Sequence, residues 1–165
     1  MNVKDIKTIA MYGAGTIGGG FAAYFALKGL NVNVYVRSEA SKERALPHIQ
    51  EPIDSYVKYG IIDDGQKIWD KIKITTDPAE AATADVVILA VNPNQIPNVT
   101  KSLKPHLSKK AIVISIACGV ALATLEEQLG ADKKILRVMP NTLIQSGNGY
   151  SAACINPNVN DDDKV

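Results

Sequence analysis

The sequence predicts an α/β fold: a doubly wound, mainly parallel sheet with helices on both faces. Three observations lead to it. Short β-branched runs alternate with helical patterns along the chain, which is how βαβ units read. Runs such as residues 86–91 (VVILAV) and 111–117 (AIVISIA) are continuously apolar, as strands covered on both faces are. A glycine-rich turn stands between the first run and the first helix. In such sheets the ligand crevice lies at the carboxyl ends of the strands.

The elements follow in order. Residues 7–12 (KTIAMY) form a first strand. Residues 16–30 are Ala-rich and end at Lys28 and Gly29, a basic last turn followed by a C-cap glycine. Residues 32–36 (VNVYV) form a second strand. Residues 41–59 form a longer, partly helical stretch closed by Gly60, which Pro47 and Pro52 are expected to break or offset. The pattern in 50–69 fits helix, loop or insertion alike. Residues 71–75 form a short strand. Asp77 and Pro78 start a helix as N-cap and first residue. Residues 86–91 form a buried strand, 97–107 a weak helix, and 111–117 another buried strand. Residues 122–129 form a helix closed by Gly130. Residues 134–139 form a strand ending at Pro140, and 150–155 an additional one.

Composition narrows the class. The 165 residues suit one domain, and 46% hydrophobic content with 21% charged residues excludes a disordered chain. The net charge of +1 provides no basic field for nucleic acid or an anionic membrane. The longest apolar run is far short of the ~20 residues that span a bilayer, and no signal-peptide pattern opens the chain. Cys118 and Cys154 cannot build a disulfide framework or a four-ligand metal site; they read as reduced thiols of a cytoplasmic protein, and no metal is expected.

Gly13, Ala14, Gly15, Thr16, Ile17 and Gly18 match G-x-G-x-x-G. Following a strand and opening a helix, the motif is the fingerprint of a Rossmann-type dinucleotide site. Gly13 permits the tight turn, Gly15 lets backbone approach a pyrophosphate, and Gly18 allows close helix–strand packing. Free N–H groups at the helix start favour phosphate. Gly19 and Gly20 mark close packing against the sheet.

The end of the second strand selects the cofactor. An NAD site places Asp or Glu there to hold the ribose 2′-hydroxyl. Here Val36 is followed by Arg37 and Ser38. Arg can pair a 2′-phosphate in a fork, and Ser can donate to it, so NADP(H) is favoured over NAD(H). Lys42 and Arg44 either add positive charge or lie on the exposed helix face.

The later strand ends hold the remaining candidates. Ala90, Val91, Asn92 and Pro93 end the fourth strand, where Pro turns the chain across the crevice. Ala117, Cys118 and Gly119 end the fifth, leaving room for a nicotinamide. Cys118 has no His nearby in sequence and reads as a small hydrophobe, not a nucleophile. Asn141 and Thr142 offer an amide and a hydroxyl after the sixth strand. His48 and His106 flank prolines in surface segments and belong to no triad or metal spacing. Asn98 opens a formal glycosylation sequon, without consequence in a chain that has no secretion signal.

These residues carry a resemblance. The run 113–130 (VISIACGVALATLEEQLG), then RVMPNT at 137–142, GNGYSA at 147–152 and AVNP at 90–93, resembles pyrroline-5-carboxylate reductase. The first 75 residues, with their GAGTIGGG turn, resemble 3-hydroxyacyl-CoA dehydrogenases. Both belong to the 6-phosphogluconate-dehydrogenase-like group, so the two agree on architecture. The reductase resemblance implies NAD(P)H-dependent reduction of a cyclic imine to proline. It places Gly13 to Gly18, Arg37, Ser38 and Ala90 to Pro93 on the cofactor, Ala117 to Gly119 at its nicotinamide end, and Asn141 and Thr142 on the substrate side. Asn92 stands where that family shows Lys, and Leu143 where it shows Pro.

Two other readings stand beside it. A dehydrogenase of a 3-hydroxyacyl thioester needs a catalytic His after the fifth strand, and no His follows His106. A non-catalytic NADP(H)-sensing module needs only the binding motifs. The resemblance also implies a helical domain beyond the acidic cluster at Asp161, Asp162 and Asp163, forming a homo-oligomer and completing a small-molecule substrate site. Residues 1–165 are then the cofactor domain, with weak or absent catalysis by themselves.

Overall fold

The computed structural model describes residues 3–141 and 148–163. Among these residues seven strands form one sheet: β1 Thr8–Tyr12, β2 Asn31–Tyr35, β3 Ile72–Thr75, β4 Val86–Leu89, β5 Ile112–Ser115, β6 Lys134–Pro140 and β7 Ser151–Ile155. Their order is β3-β2-β1-β4-β5-β6-β7. The first six run parallel, and only β7 is antiparallel, to β6. The strand order reverses between β1 and β4, which makes the β1/β4 boundary the topological switch point.

Side-chain alternation divides the core into two layers. On one face Ile9, Met11, Val32, Val34, Val86 and Ile88 pack with Ala22, Ala23 and Ala26 of α1 (Thr16–Leu27) and Ala45, Ile49 and Ile53 of α2 (Glu39–Lys58). Ile68 of α3 (Gln66–Trp69) closes that layer. On the other face Ala10, Tyr12, Val87, Leu89, Val113 and Ile135 pack with α4 (Pro78–Ala81), α5 (Ile96–Leu103) and α6 (Leu122–Leu129). The predicted class and strand set therefore match the fold, and both readings of a two-sided core rest on apolar residues at adjacent positions of one strand.

Local signals explain most boundaries. Asp77 caps α4 by accepting from Ala79 N–H at 2.8 Å, with Pro78 in the first turn. Gly130 ends α6 at φ +116°. Tyr12, at the end of β1, is fully buried and donates to the Pro78 carbonyl at 3.0 Å. Burial, with Tyr35 and Asp77 nearby, pushes its phenol well above the ordinary value.

Two expectations are corrected. Pro47 and Pro52 do not break the second helix: α2 runs unbroken through both. Each proline removes one N–H, leaving the carbonyls of Glu43 and His48 without their helical donors. The helix survives because Ala45, Ile49 and Ile53 form a buried stripe at spacing four, and tertiary packing of such a face outweighs local propensity. Second, Gly19 packs on α2 and not on the sheet. A Cβ there would stand 2.6 Å from the His48 carbonyl oxygen, the group that Pro52 releases. Gly20 faces open space. Gly19→Ala is expected to lower stability by about 1–3 kcal/mol through overpacking, read from chemical denaturation. A loss under about 0.5 kcal/mol would show that the two helices slide apart freely.

No helix of the described residues is long and apolar enough to cross a membrane. Among them no three His, Cys, Asp or Glu side chains gather as a metal-binding group.

Candidate functional site

The glycine turn sits at the switch point, and its three motif glycines have three separable reasons. Gly13 has φ +107°, a conformation that L side chains rarely adopt, and a Cβ would stand 2.4 Å from the Ala90 carbonyl oxygen. Gly18 is buried at the start of α1, where a Cβ would fall 2.0 Å from the Gly13 carbonyl oxygen. Both are required by the protein's own backbone. Gly15 is different: a Cβ there meets nothing within 4 Å, and its φ of −76° is ordinary for any residue. The fold therefore does not need glycine at 15. What a Cβ would occupy is open cleft, which is the room that close approach of a pyrophosphate requires. Gly15 is also the N-cap of α1 and offers no side chain to satisfy the first N–H groups. The residues thus fit a dinucleotide.

Two clefts flank this turn, each of about 370 Å³. They share Gly13, Ala14, Gly15, Val91 and Gln95. The first extends towards β2 and α2, over Tyr35, Val36, Arg37, Ser41, Arg44, Ala45 and His48, with Asn98, Val99 and Ser102 of α5 opposite. The second extends along the start of α1, over Thr16, Ile17 and Gly18, to Ala90, Asn92 and Ile116. Together they form a continuous trough across the carboxyl ends of β2, β1, β4 and β5.

The sequence-chosen residues divide accordingly. Gly13 to Gly18, Arg37, Ala90, Val91 and Asn92 line the trough. Pro93 instead opens the short 3-10 turn Pro93–Gln95. Ser38 is the N-cap of α2: its Oγ accepts from Ser41 N–H at 3.3 Å and lies 2.9 Å from Ser41 Oγ. The hydroxyl that lines the first cleft is that of Ser41. Ala117 is 4% exposed and belongs to the α5/α6 core layer, so Ile116 is the residue after β5 that reaches the second cleft. Cys118 and Gly119 lie exposed in the next turn and line neither cleft. Asn141 joins the ends of the β6–β7 hairpin: its N–H donates to the Tyr150 carbonyl and its Oδ1 accepts from Tyr150 N–H, each at 3.0 Å. Thr142 lies outside the described residues.

Sequence reasoning missed Tyr35, Ser41, His48, Gln95, Asn98, Val99, Ser102 and Ile116. His48, read as a solvated residue, is half-buried on the first cleft. One signal was available. Ser38, Ser41 and Arg44 recur every three residues from a helix start, which puts them on one face.

Comparison with known proteins agrees with this fold. The family of the NAD-binding domain of 3-hydroxyacyl-CoA dehydrogenase matches residues 8–140. Pyrroline-5-carboxylate reductase of Aquifex aeolicus (strain VF5) is 30% identical over 156 residues, covering 94% of this chain and 51% of that protein. The crystal structure of Plasmodium falciparum pyrroline carboxylate reductase with NADP bound is similar at a TM-score of 0.66 and 25% identity, covering 97% of this chain and 52% of that one. (S)-3-hydroxybutyryl-CoA dehydrogenase of Ralstonia eutropha shares the fold at a TM-score of 0.73 and 22% identity, over 82% of this chain and 49% of that one. The chain spans about half the length of the curated relatives it matches. By its match over β1 to β6, this chain belongs to the family of the NAD-binding domain of 3-hydroxyacyl-CoA dehydrogenase.

Proposed function

We propose that this chain is the NADP(H)-binding domain of an oxidoreductase that reduces a cyclic imine of the pyrroline-5-carboxylate kind to the corresponding amine. The observation that carries the cofactor assignment is Arg37 on the first cleft, with no acidic side chain among the described residues that line it. The trough runs from that cleft past Gly15 to Asn92 and Ile116, so the adenosine end lies over Arg37 and the nicotinamide end beyond the glycine turn. The substrate assignment rests on the reductases matched over nearly the whole chain.

The residues divide the work. Gly15 leaves space for the pyrophosphate, and the N–H groups opening α1 donate to it. Arg37 pairs the 2′-phosphate. Ala90, Val91, Asn92 and Ile116 position the nicotinamide. When bound, the cofactor supplies the hydride, so the protein's contribution is binding, orientation and exclusion of water. An iminium substrate carries the positive charge that hydride addition neutralises, so no protein acid is needed at that carbon. Asn141 and Thr142 are the substrate-side residues that the likeness to the reductases implies. A helical domain outside this chain completes that side and pairs two copies in the cytoplasm.

Arg37→Ala is expected to weaken NADPH by about 10–100-fold, the loss of a charge-assisted contact, and NADH by less than threefold. Calorimetric titration checks this. Equal affinity of the unaltered chain for NADPH and NADH would sink the cofactor assignment. Oxidation of NADPH followed with pyrroline-5-carboxylate, on this chain and on a longer form, tests the substrate.

The family match favours a second reading, a dehydrogenase of a 3-hydroxyacyl thioester. A longer form that oxidises NADPH or NADH with an acetoacetyl thioester, and not with the imine, would establish it instead.

A further inference from the structure

We propose that Arg44 is the second arm of a 2′-phosphate clamp, with Ser41 holding it over the first cleft opposite Arg37. This rests on the reading of that cleft as the adenosine end of an NADP(H) site. It adds a specificity-determining residue on the second turn of α2, nine positions beyond Tyr35, the last residue of β2.

The geometry is a ladder on the first two turns of α2. Ser38 caps the helix through Ser41 N–H, and the Ser38 and Ser41 hydroxyls are 2.9 Å apart. Arg44 Nη2 donates to Ser41 Oγ at 3.1 Å. The Ser38 hydroxyl, tied to the helix backbone, and the Ser41 hydroxyl bonded to it therefore hold a long side chain in one place. That matters because an Arg loses up to about 2 kcal/mol of rotamer entropy when it is ordered. Arg44 has already given up part of that freedom before any ligand arrives.

The electrostatics point to an anion. Arg37 and Arg44 both line the cleft, and among the described residues neither takes part in a salt bridge. Glu39, two residues beyond Arg37, lies 3.9 Å from Lys42 and accepts from the Thr76 hydroxyl at 3.5 Å, and neither Glu39 nor Glu43, the neighbour of Arg44, is among the residues lining the cleft. Two guanidinium groups thus share one concave surface with no carboxylate among the described residues that line it, at the positive end of a 20-residue helix. Like charges in one cleft repel, and a phosphate dianion relieves that repulsion while accepting from both. Arg44 uses one of its five N–H donors on Ser41; the rest are available for phosphate oxygens. A 2′-hydroxyl is uncharged and cannot offset the two positive charges, so it gains far less from the pair, and the arrangement discriminates between the two dinucleotides as well as binding one.

The test is a matrix of calorimetric titrations: NADPH and NADH against the unaltered chain, Arg44→Ala, Arg44→Lys, Ser41→Ala and Arg37→Ala, with a thermal melt of each variant. Arg44→Ala is expected to weaken NADPH by about 10–100-fold and NADH by less than threefold. Arg44→Lys keeps the charge and loses the fork, and falls between. Ser41→Ala weakens NADPH by a few-fold and leaves NADH unchanged, as expected of a positioning residue. If Arg37→Ala erodes the NADPH preference and Arg44→Ala does not, the cleft reading stands and the clamp is overturned. If Arg44→Ala weakens both dinucleotides equally, the clamp is also overturned, because the effect is then not on the 2′-phosphate. If the unaltered chain binds NADPH and NADH alike, both readings fall. Should Arg44→Ala melt early, the Lys variant, which preserves helix propensity and charge, decides on the same criteria.

Discussion

Gly15→Ala is expected to fold as well as the unaltered protein and to bind NADPH at least tenfold more weakly, whereas Gly18→Ala is expected to lose stability and binding together. The difference follows from what a methyl group meets. At position 15 it meets nothing within 4 Å, and the backbone angle suits alanine. Replacing Gly where the conformation is compatible even stabilises slightly, by restricting the unfolded chain. The methyl group instead occupies the space over the turn where phosphate oxygens must reach the α1 N–H groups. At position 18 the methyl group falls 2.0 Å from the Gly13 carbonyl oxygen, which belongs to backbone and cannot rotate away. Relief requires α1 to move off β1, at a cost of about 3 kcal/mol or more. That corresponds to a melting temperature lowered by roughly 6–12 °C for a chain of this size. Thermal melts and NADPH titrations of both variants read the two effects separately. A Gly15→Ala protein that binds NADPH normally would show that the pyrophosphate does not pass over Gly15, and the whole trough assignment would fail.

Asn156→Ala is expected to cost about 2–4 kcal/mol, more than any exposed polar substitution nearby. Asn156 is 1% exposed at the end of β7. Its Oδ1 accepts from Ile135 N–H at 3.1 Å, its Nδ2 donates to the Lys133 carbonyl at 2.8 Å, and its own N–H donates to the Ile135 carbonyl at 3.0 Å. The side chain thus continues the β6–β7 ladder where strand pairing stops, beyond Leu136 and Ile155. Truncation leaves a buried Ile135 N–H without an acceptor, and an orphaned buried donor costs about 1–3 kcal/mol in addition to the lost contacts. The comparison is Asn158→Ala. Asn158 donates to the Ala131 and Lys133 carbonyls, but it is partly exposed and water can replace it, so a loss of about 1 kcal/mol is expected. Equal losses for the two variants in urea unfolding would show that β7 frays from the sheet and that Asn156 secures nothing.

Much of the site was legible because a Rossmann-type turn is a local device. Gly13 to Gly18 lie within six residues, and the strand before them and the helix after them are short-range features. Arg37 was legible for the same reason, being two steps past Tyr35 at the β2 tip. The substrate-side reading fared differently. Asn141 lies at a strand end as expected, yet its side chain is bonded to Tyr150, a partner that depends on how the hairpin closes. Ser38 lies where expected, but its hydroxyl serves the helix cap, which sequence spacing alone does not separate from a ligand contact.

By itself the sequence determined the fold class, the strand set, the parallel sheet and the glycine turn, because each is encoded by period, apolar runs and residues whose backbone freedom is local. It did not determine α2, where two prolines argued for a break and a buried stripe of Ala45, Ile49 and Ile53 kept the helix whole. It did not determine the far wall of the first cleft either, where Arg44 and His48 of α2 face Asn98, Val99 and Ser102 of α5. Those side chains are some fifty residues apart in the chain and meet only because the sheet reverses its order between β1 and β4, placing the two following helices on opposite faces of one trough. Packing against a shared sheet is a non-local energy, so a wall built by two helices that never touch in sequence appears only when the tertiary structure is complete.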